Sequence, residues 1–316
     1  MTVNCNRHFL AQVADRAAAQ SRLPGNWPYR EASRVVTIGP LSWHFQFHAT
    51  KNNSALTLVL LHGTGSSTHS WADLIEPLRE FACVLAIDLP GHGFTYGADP
   101  QSLTLPKMAE SLHALLLTLK IEGPLAFVGH SAGAPLAIEW ALAHVQDKTL
   151  AFQVTHIIGL NPSLVPPPLL YTTLLGPMVA PIATSSPMTG MLAFIAANTG
   201  MVDQLLDSTG SKIPLTHRNN YRYLFSQANH VQGAMGFMAG ADLPSILERG
   251  RTLKVPCSFL IGAADTWVKE APLKEVIRNS FPNAAVITWP GGHLLHEENP
   301  KETAALIRKF VTPTSA

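Results

Sequence analysis

"PLAFVGHSAGAPLAIEWALAHV" runs from Pro124 to Val145. Its first part, Pro124 to His130, is a short and almost wholly apolar run, as a strand buried on both faces is. Its last part, Ala134 to Val145, carries apolar residues at helical spacing. Between them stands GHSAG, Gly129 to Gly133, which fits the pattern G-x-S-x-G. On a strand-to-helix turn that pattern puts a serine at a sharp bend with strained backbone angles, and the flanking glycines relieve the crowding. The Ser131 hydroxyl then projects above the carboxyl edge of a sheet. The helix N-terminus beneath it places a positive dipole end where an oxyanion would form.

Outward from this segment, strand and helix alternate. Arg34–His48 reads as a hairpin around Gly39-Pro40. Ala55–Gly63 and Cys83–Gly91 read as strands, each followed by a helical pattern, Ser70–Phe81 and Ser102–Lys120, the second capped by Ser102 or Thr104. Downstream, Thr155–Pro162, Cys257–Asp265 and Ala284–Pro290 read as strands, and Ala271–Phe281 and Asn299–Val311 as helices. In the last helix Asn299 suits the cap and Pro300 the first turn. This order predicts an α/β architecture, a mostly parallel eight-stranded sheet flanked by helices. One interruption breaks it, a mainly helical insertion after the sixth strand. The expected division is a core of residues 1–162 and 251–316, with 1–25 a helical extension, and a cap of residues 163–250. In the extension, Phe9, Leu10, Val13 and Ala17 lie near one helical face.

A serine nucleophile needs a base, and the base an orienting acid. In this architecture the chain order is serine, acid, histidine. Asp265 follows one predicted strand in IGAAD. His293 follows the next in the loop WPGGHLLHEENP, with His296 as its competitor. Some architectures place the acid after the preceding strand, but Asn161 stands there and cannot orient an imidazolium by charge. The turn His62-Gly63-Thr64-Gly65 ends another strand, where the second oxyanion donor arises. The backbone N–H groups of Thr64 and Ala132 are assigned to the hole, with Gly65 as alternate to Thr64. DLPGHGFT, Asp88–Thr95, reads as a fold-stabilising turn.

The formal net charge is +1, so no global field recruits nucleic acid. No nucleotide-binding glycine pattern occurs, and His92, His130 and Asp88 lack metal-ligand spacing. No cofactor, metal or nucleic acid is therefore expected. Of three cysteines, Cys83 and Cys257 sit in apolar strands and read as free buried thiols. With no signal peptide legible, the expected location is the cytoplasm.

From Thr149 to Val202 there is no Asp, Glu, Lys or Arg. A membrane span needs about 20 mainly apolar residues in a row. Pro177, Pro181, Pro187 and Gly190 break this run, and an interior proline costs a helix about 3 kcal/mol. The stretch instead predicts a lid over the catalytic edge whose inner face selects a hydrophobic small molecule. Met178, Met188, Met191, Phe194, Met235 and Met238 are its candidate contacts. Peripheral membrane contact is a secondary expectation.

HGTGSSTHSW, DLPGHG, GHSAG, a late Asp and GGHLLHEENP, in that order, resemble the α/β-hydrolase superfamily across nearly the whole chain. NWPYREASR, LSWHFQ, VGHSAGAPLAIEWAL, DSTGS and HVQGAMGFMAGADL look like the magnesium-chelatase accessory hydrolases of bacteriochlorophyll biosynthesis. The resemblance implies the triad roles for Ser131, Asp265 and His293, a tetrapyrrole or its ester as ligand, and pathway enzymes as partners. Two functions follow as expectations: a serine ester hydrolase, or a non-catalytic tetrapyrrole-binding or chaperone-like protein on a hydrolase scaffold.

Overall fold

A computed structural model describes residues 14–165, 182 and 184–312. The strands are β1 Ser33–Ile38, β2 Leu41–His48, β3 Thr57–Leu61, β4 Cys83–Ile87, β5 Gly123–His130, β6 Phe152–Leu160, β7 Cys257–Gly262 and β8 Ala285–Trp289. They form one sheet in the order β1-β2-β4-β3-β5-β6-β7-β8. The β1–β2 and β2–β4 pairs are antiparallel and all others are parallel. The opening hairpin therefore forms one edge, and β3 to β8 send their carboxyl ends to the same side.

The apolar strands are buried on both faces, as continuous hydrophobic runs require. In β3, Val59 and Leu61 join the core on one face, while Leu58 and Leu60 join the core on the other. Leu125 and Phe127 of β5 share the first of these cores, and Ala126 and Val128 the second. The first face is covered by helices α3 Leu105–Thr118 and α4 Gly133–His144, which supply Leu112, Leu116 and Trp140. The second is covered by α2 Ala72–Arg79 and α12 Pro300–Val311, which supply Leu74, Leu78 and Ile307. Each fully buried leucine contributes roughly 1.5–3 kcal/mol.

Between β6 and β7 the described residues form α5 Ser186–Asn198, α6 Met201–Asp207, α7 Leu215–Phe225, α8 Ala228–Ala239 and α9 Leu243–Arg249. The remaining helices are α1 Arg16–Arg22, α10 Glu270–Ser280 and α11 Leu295–Glu298. Asp15 caps α1 by accepting from the Ala18 N–H at 2.9 Å. Phe9, Leu10, Val13 and Met178 lie outside the described residues, as do residues 166–181 and 183 of the uncharged stretch before α5. Among the described residues no helix is long and apolar enough to cross a membrane.

Two local expectations are corrected. Asn299 occupies the N-cap of α12 without a capping bond. Its side-chain amide donates instead to the Pro290 carbonyl at 3.2 Å, across the turn that carries the histidine loop. Cys257 is a free buried thiol, but Cys83 is disulfide-bonded. An apolar strand reports a cysteine's burial and says nothing of its pairing, which joins residues distant in the chain.

Candidate active site

Ser131 sits between β5 and α4 with φ +49°, a left-handed conformation that is strained for a residue with a side chain. Its N–H donates to the Leu160 carbonyl at 3.0 Å. Its own carbonyl accepts from Ala134 at 3.2 Å and Ser163 at 3.0 Å. The flanking glycines answer to contact. A Cβ on Gly129 would lie 2.5 Å from the Ala134 backbone, and one on Gly133 would lie 2.0 Å from the Leu61 carbonyl oxygen. The bend closes only because both positions lack a side chain.

The three residues predicted for the triad come together. The His293 Nε2 is 3.0 Å from the Ser131 Oγ, and its Nδ1 is 2.7 Å from the Asp265 Oδ2. Asp265 and His293 are buried. The other carboxylate oxygen, Oδ1, accepts from the Trp267 and Val268 N–H groups at 2.8 and 2.9 Å. An acid held by two amides keeps one oxygen aimed at the imidazole. Because a carboxylate only accepts, His293 carries its proton on Nδ1 and presents a bare Nε2 to the serine. The Trp267 ring lies against His293, centroids 5.4 Å apart.

The turn after β3 is packed directly on the elbow. A Cβ on Gly63 would lie 2.9 Å from the Ser131 Cβ. Within the described residues neither the Thr64 nor the Ala132 N–H makes a hydrogen bond. Two backbone donors thus stand without hydrogen bonds in the turns on either side of the serine.

His296 is not a surface residue. It is fully buried, with its ring 4.4 Å from that of His130 and 4.8 Å from that of Trp71. Burial, with His293 and His217 nearby, pushes its pKa down to about 3, so it stays neutral beneath the site. Asp88, in the DLPGHGFT turn, accepts from Thr68 and Phe94 N–H groups and lies 2.7 Å from the His44 Nδ1. Burial alone would raise its pKa, but His44, His62 and the Phe94 amide together hold it well below the usual carboxylate range. It stays charged and binds two loops to the hairpin.

Several residues that hold the site escaped sequence reasoning. Asn161, at φ +44°, follows β6. Its Nδ2 donates to the Gly292 and His293 carbonyls, both at 2.8 Å, and its Oδ1 accepts from the Gly262 N–H at 2.6 Å. The His130 Nε2 lies 2.9 Å from the same His293 carbonyl. The segment DSTGS, between α6 and α7, reaches over both loops. Its Thr209 carbonyl accepts from the His293 N–H at 3.0 Å, and its Ser211 hydroxyl accepts from the Leu294 N–H at 2.8 Å. Its Ser208 carbonyl accepts from the Thr266 hydroxyl, and its Ser208 hydroxyl from the Trp267 indole at 3.1 Å. Further out, buried Glu297 accepts from the Tyr221 hydroxyl and pairs with His217, both at 2.7 Å, and Ser66 adjoins Tyr221. Burial raises the pKa of Glu297. Burial alone would lower that of His217, yet its carboxylate neighbours hold it above the ordinary value. The legible signals were DSTGS as part of the resemblance, with no role attached, and an asparagine at a strand end, a residue type that tolerates the left-handed region.

Of the other predicted contacts, Met188, Met235 and Met238 are half-buried, while Met191 and Phe194 are exposed. Among the described residues no group of three or more His, Cys, Asp or Glu is placed to hold a metal ion.

A mostly parallel sheet with a strained serine after β5, an acid after β7 and a histidine after β8 defines a class, and the chain belongs to the α/β-hydrolase family, whose model matches residues 58–306. More particularly, it is 32% identical to the magnesium-chelatase 30 kDa subunit of Rhodobacter capsulatus, over 87% of this chain and 93% of that one. It is 23% identical to the monoacylglycerol lipase ABHD6 of Mus musculus, over 81% of this chain and 75% of that one. The fold is also that of the enol-lactonase from Burkholderia xenovorans LB400, with a TM-score of 0.67, 15% identity, and 88% and 100% of the two chains covered.

Proposed function

We propose that this protein is a serine hydrolase that cleaves a carboxylic ester of a hydrophobic substrate through an acyl-enzyme on Ser131. The observation that carries this reading is the continuous Asp265–His293–Ser131 hydrogen-bond chain beside two unspent backbone donors. In the first step the Ser131 Oγ attacks the carbonyl carbon and its proton passes to the His293 Nε2. Asp265 stabilises the resulting imidazolium. The oxyanion accepts from the Thr64 and Ala132 N–H groups. Collapse of the tetrahedral intermediate expels the alcohol, which takes the proton from His293. Water then attacks the acyl-enzyme by the same route in reverse and frees the acid.

The similarity to a magnesium-chelatase subunit supports a place in magnesium-tetrapyrrole synthesis, with a tetrapyrrole or its ester as ligand and pathway enzymes as partners. Residues 163–250 act as a cap on the remaining core, with Met188, Met235 and Met238 turned to the ligand. The exposed Ile182, Met191 and Phe194 support a peripheral membrane contact by a protein located in the cytoplasm. Hydrolysis of p-nitrophenyl esters of increasing acyl length tests the reading. The parent should turn over, best with longer chains, and Ser131→Ala should not. Equal rates from the two would end it.

The same similarity favours a second reading, a tetrapyrrole-binding accessory protein without catalysis. Complementation of a deletion strain separates the two. Restoration of pigment by Ser131→Ala means binding suffices. Failure of a folded Ser131→Ala means catalysis is needed. Titration with a porphyrin should shift its Soret band at a defined stoichiometry if the ligand is a tetrapyrrole.

A further inference from the structure

We propose that His230, on α8, is a positioning residue that sets the geometry of the oxyanion turn. The role rests on the hydrolase reading above. His230 is almost fully buried and far in sequence from every catalytic residue. Its Nδ1 accepts from the Gly93 N–H at 3.0 Å, so the ring proton must sit on Nε2. That Nε2–H lies 3.2 Å from the Gly65 carbonyl and donates to it.

Gly65 is the soft point of the turn. It has φ +73° and no side chain to restrict ψ. The turn is closed by the Ser66 N–H donating to the Gly63 carbonyl at 3.1 Å. On the core side His62 holds that same carbonyl. Its Nε2 accepts from the Leu89 N–H at 3.0 Å, which leaves Nδ1–H to donate to the Gly63 carbonyl at 2.8 Å. Gly63 C=O and Thr64 N–H share one peptide plane, so His62 orients the donor directly. Past Thr64 the fixing groups come from the other side. The Phe225 ring of α7 covers the Gly65 Cα, where a Cβ would lie 2.9 Å from its Cζ, and His230 holds the Gly65 carbonyl. Two neutral imidazoles in opposite tautomers thus grip the carbonyls on either side of the proposed Thr64 donor. One belongs to the core and one to the helices between β6 and β7. A donor preorganised in this way needs no rearrangement when the oxyanion forms.

The test uses the full chain and an ester it hydrolyses. His230→Met keeps about the volume and removes the donor. His230→Gln keeps both a donor and an acceptor on one side chain. For His230→Met we expect kcat to fall about 10-fold with KM within about twofold, less than the 10²–10³ of losing a donor outright. Inhibition by an alkyl boronic acid, which forms a tetrahedral adduct on Ser131, should weaken by the same factor. His230→Gln should recover most of both. A purely structural role would lower Tm and leave kcat and boronate affinity, measured well below Tm, at parent values. That result from folded His230→Met overturns the proposal. If His230→Met does not fold, His230→Gln decides: most of the parent kcat supports the role, and a 10-fold loss at unchanged Tm overturns it. A parent that neither hydrolyses esters nor binds the boronate removes the hydrolase reading itself, which is a different failure from a reactive parent indifferent to His230.

Discussion

The two loops that meet at the site are held by opposite means. Ser131 takes its shape from its own sequence neighbours, a strand, a helix and two glycines that let them join at a strained bend, with Leu160 and Ser163 bonding its backbone from the next strand. The loop that carries His293 has bonds of its own, from the Gly292 N–H to the Glu298 carboxylate and from Asn299 to the Pro290 carbonyl, but none of them reaches His293. Its backbone is hung from Asn161 after β6, His130 beside the serine, and Thr209 and Ser211 between α6 and α7. The elbow is shaped mainly by local sequence, and His293 is held mainly by long-range bonds. A local device fails by steric conflict, all at once. A long-range one fails by degrees, as one bond after another is removed.

That contrast can be broken from either side. Asp265→Asn should have the largest effect on a folded protein. It leaves the loops in place but favours the wrong imidazole tautomer, a change expected to cost about 10⁴ in kcat. At the elbow, Gly133→Val should prevent native folding, seen as lost cooperative unfolding, because even a Cβ meets the Leu61 carbonyl. At the histidine loop, Asn161→Ala should fold yet lose about 1–3 kcal/mol of stability, since it strands the buried Gly262 amide. Its kcat should fall roughly 10- to 100-fold as His293 drifts, in line with the cost of misplacing a reacting group by about 1 Å. Ser211→Ala removes one bond of several and should cost about 0.5–1.5 kcal/mol in urea titrations, with a severalfold change in kcat. If Asn161→Ala proves neutral and Ser211→Ala lethal, the division of labour is wrong.

Stability should also depend on pH. His48, His230 and His296 have folded pKa values pushed down to about 4, 4 and 3, mainly by burial. The unfolded chain takes up these protons near 6.5 and the folded chain does not. Their contribution is therefore complete above about 6.5 and is lost as pH falls toward 4. Each adds up to about 1.4 kcal/mol per pH unit to the slope. His217, with its raised pKa, runs the other way, stabilising at acid pH and losing that as pH rises. The depressed histidines outnumber it, so unfolding free energies should fall between pH 7 and pH 5. A flat profile would show that these rings are not buried neutral.

The same contrast explains what was legible in the sequence. GHSAG, each single strand or helix, and the settings of Asp265 and His293 just after predicted strands are local patterns, each read within about a dozen residues. The proposed oxyanion roles of Thr64 and Ala132 rest on position in that frame. Asn161 was visible only as an acid that was not there. Its task, like those of His130, Ser211 and His230, exists only once distant segments touch. The misreading of Asn299 has a different cause: a residue suited to a cap is engaged across its own turn by the Pro290 carbonyl, nine residues away.

The central claim is that Ser131 is an activated nucleophile. Treatment of the intact chain with a fluorophosphonate, followed by mass spectrometry of the whole protein and its peptides, tests it most directly. The geometry predicts one adduct per chain, mapped to Ser131, absent in Ser131→Ala and formed far more slowly in His293→Ala. A folded parent that takes up no label, or takes it up elsewhere, would contradict the account.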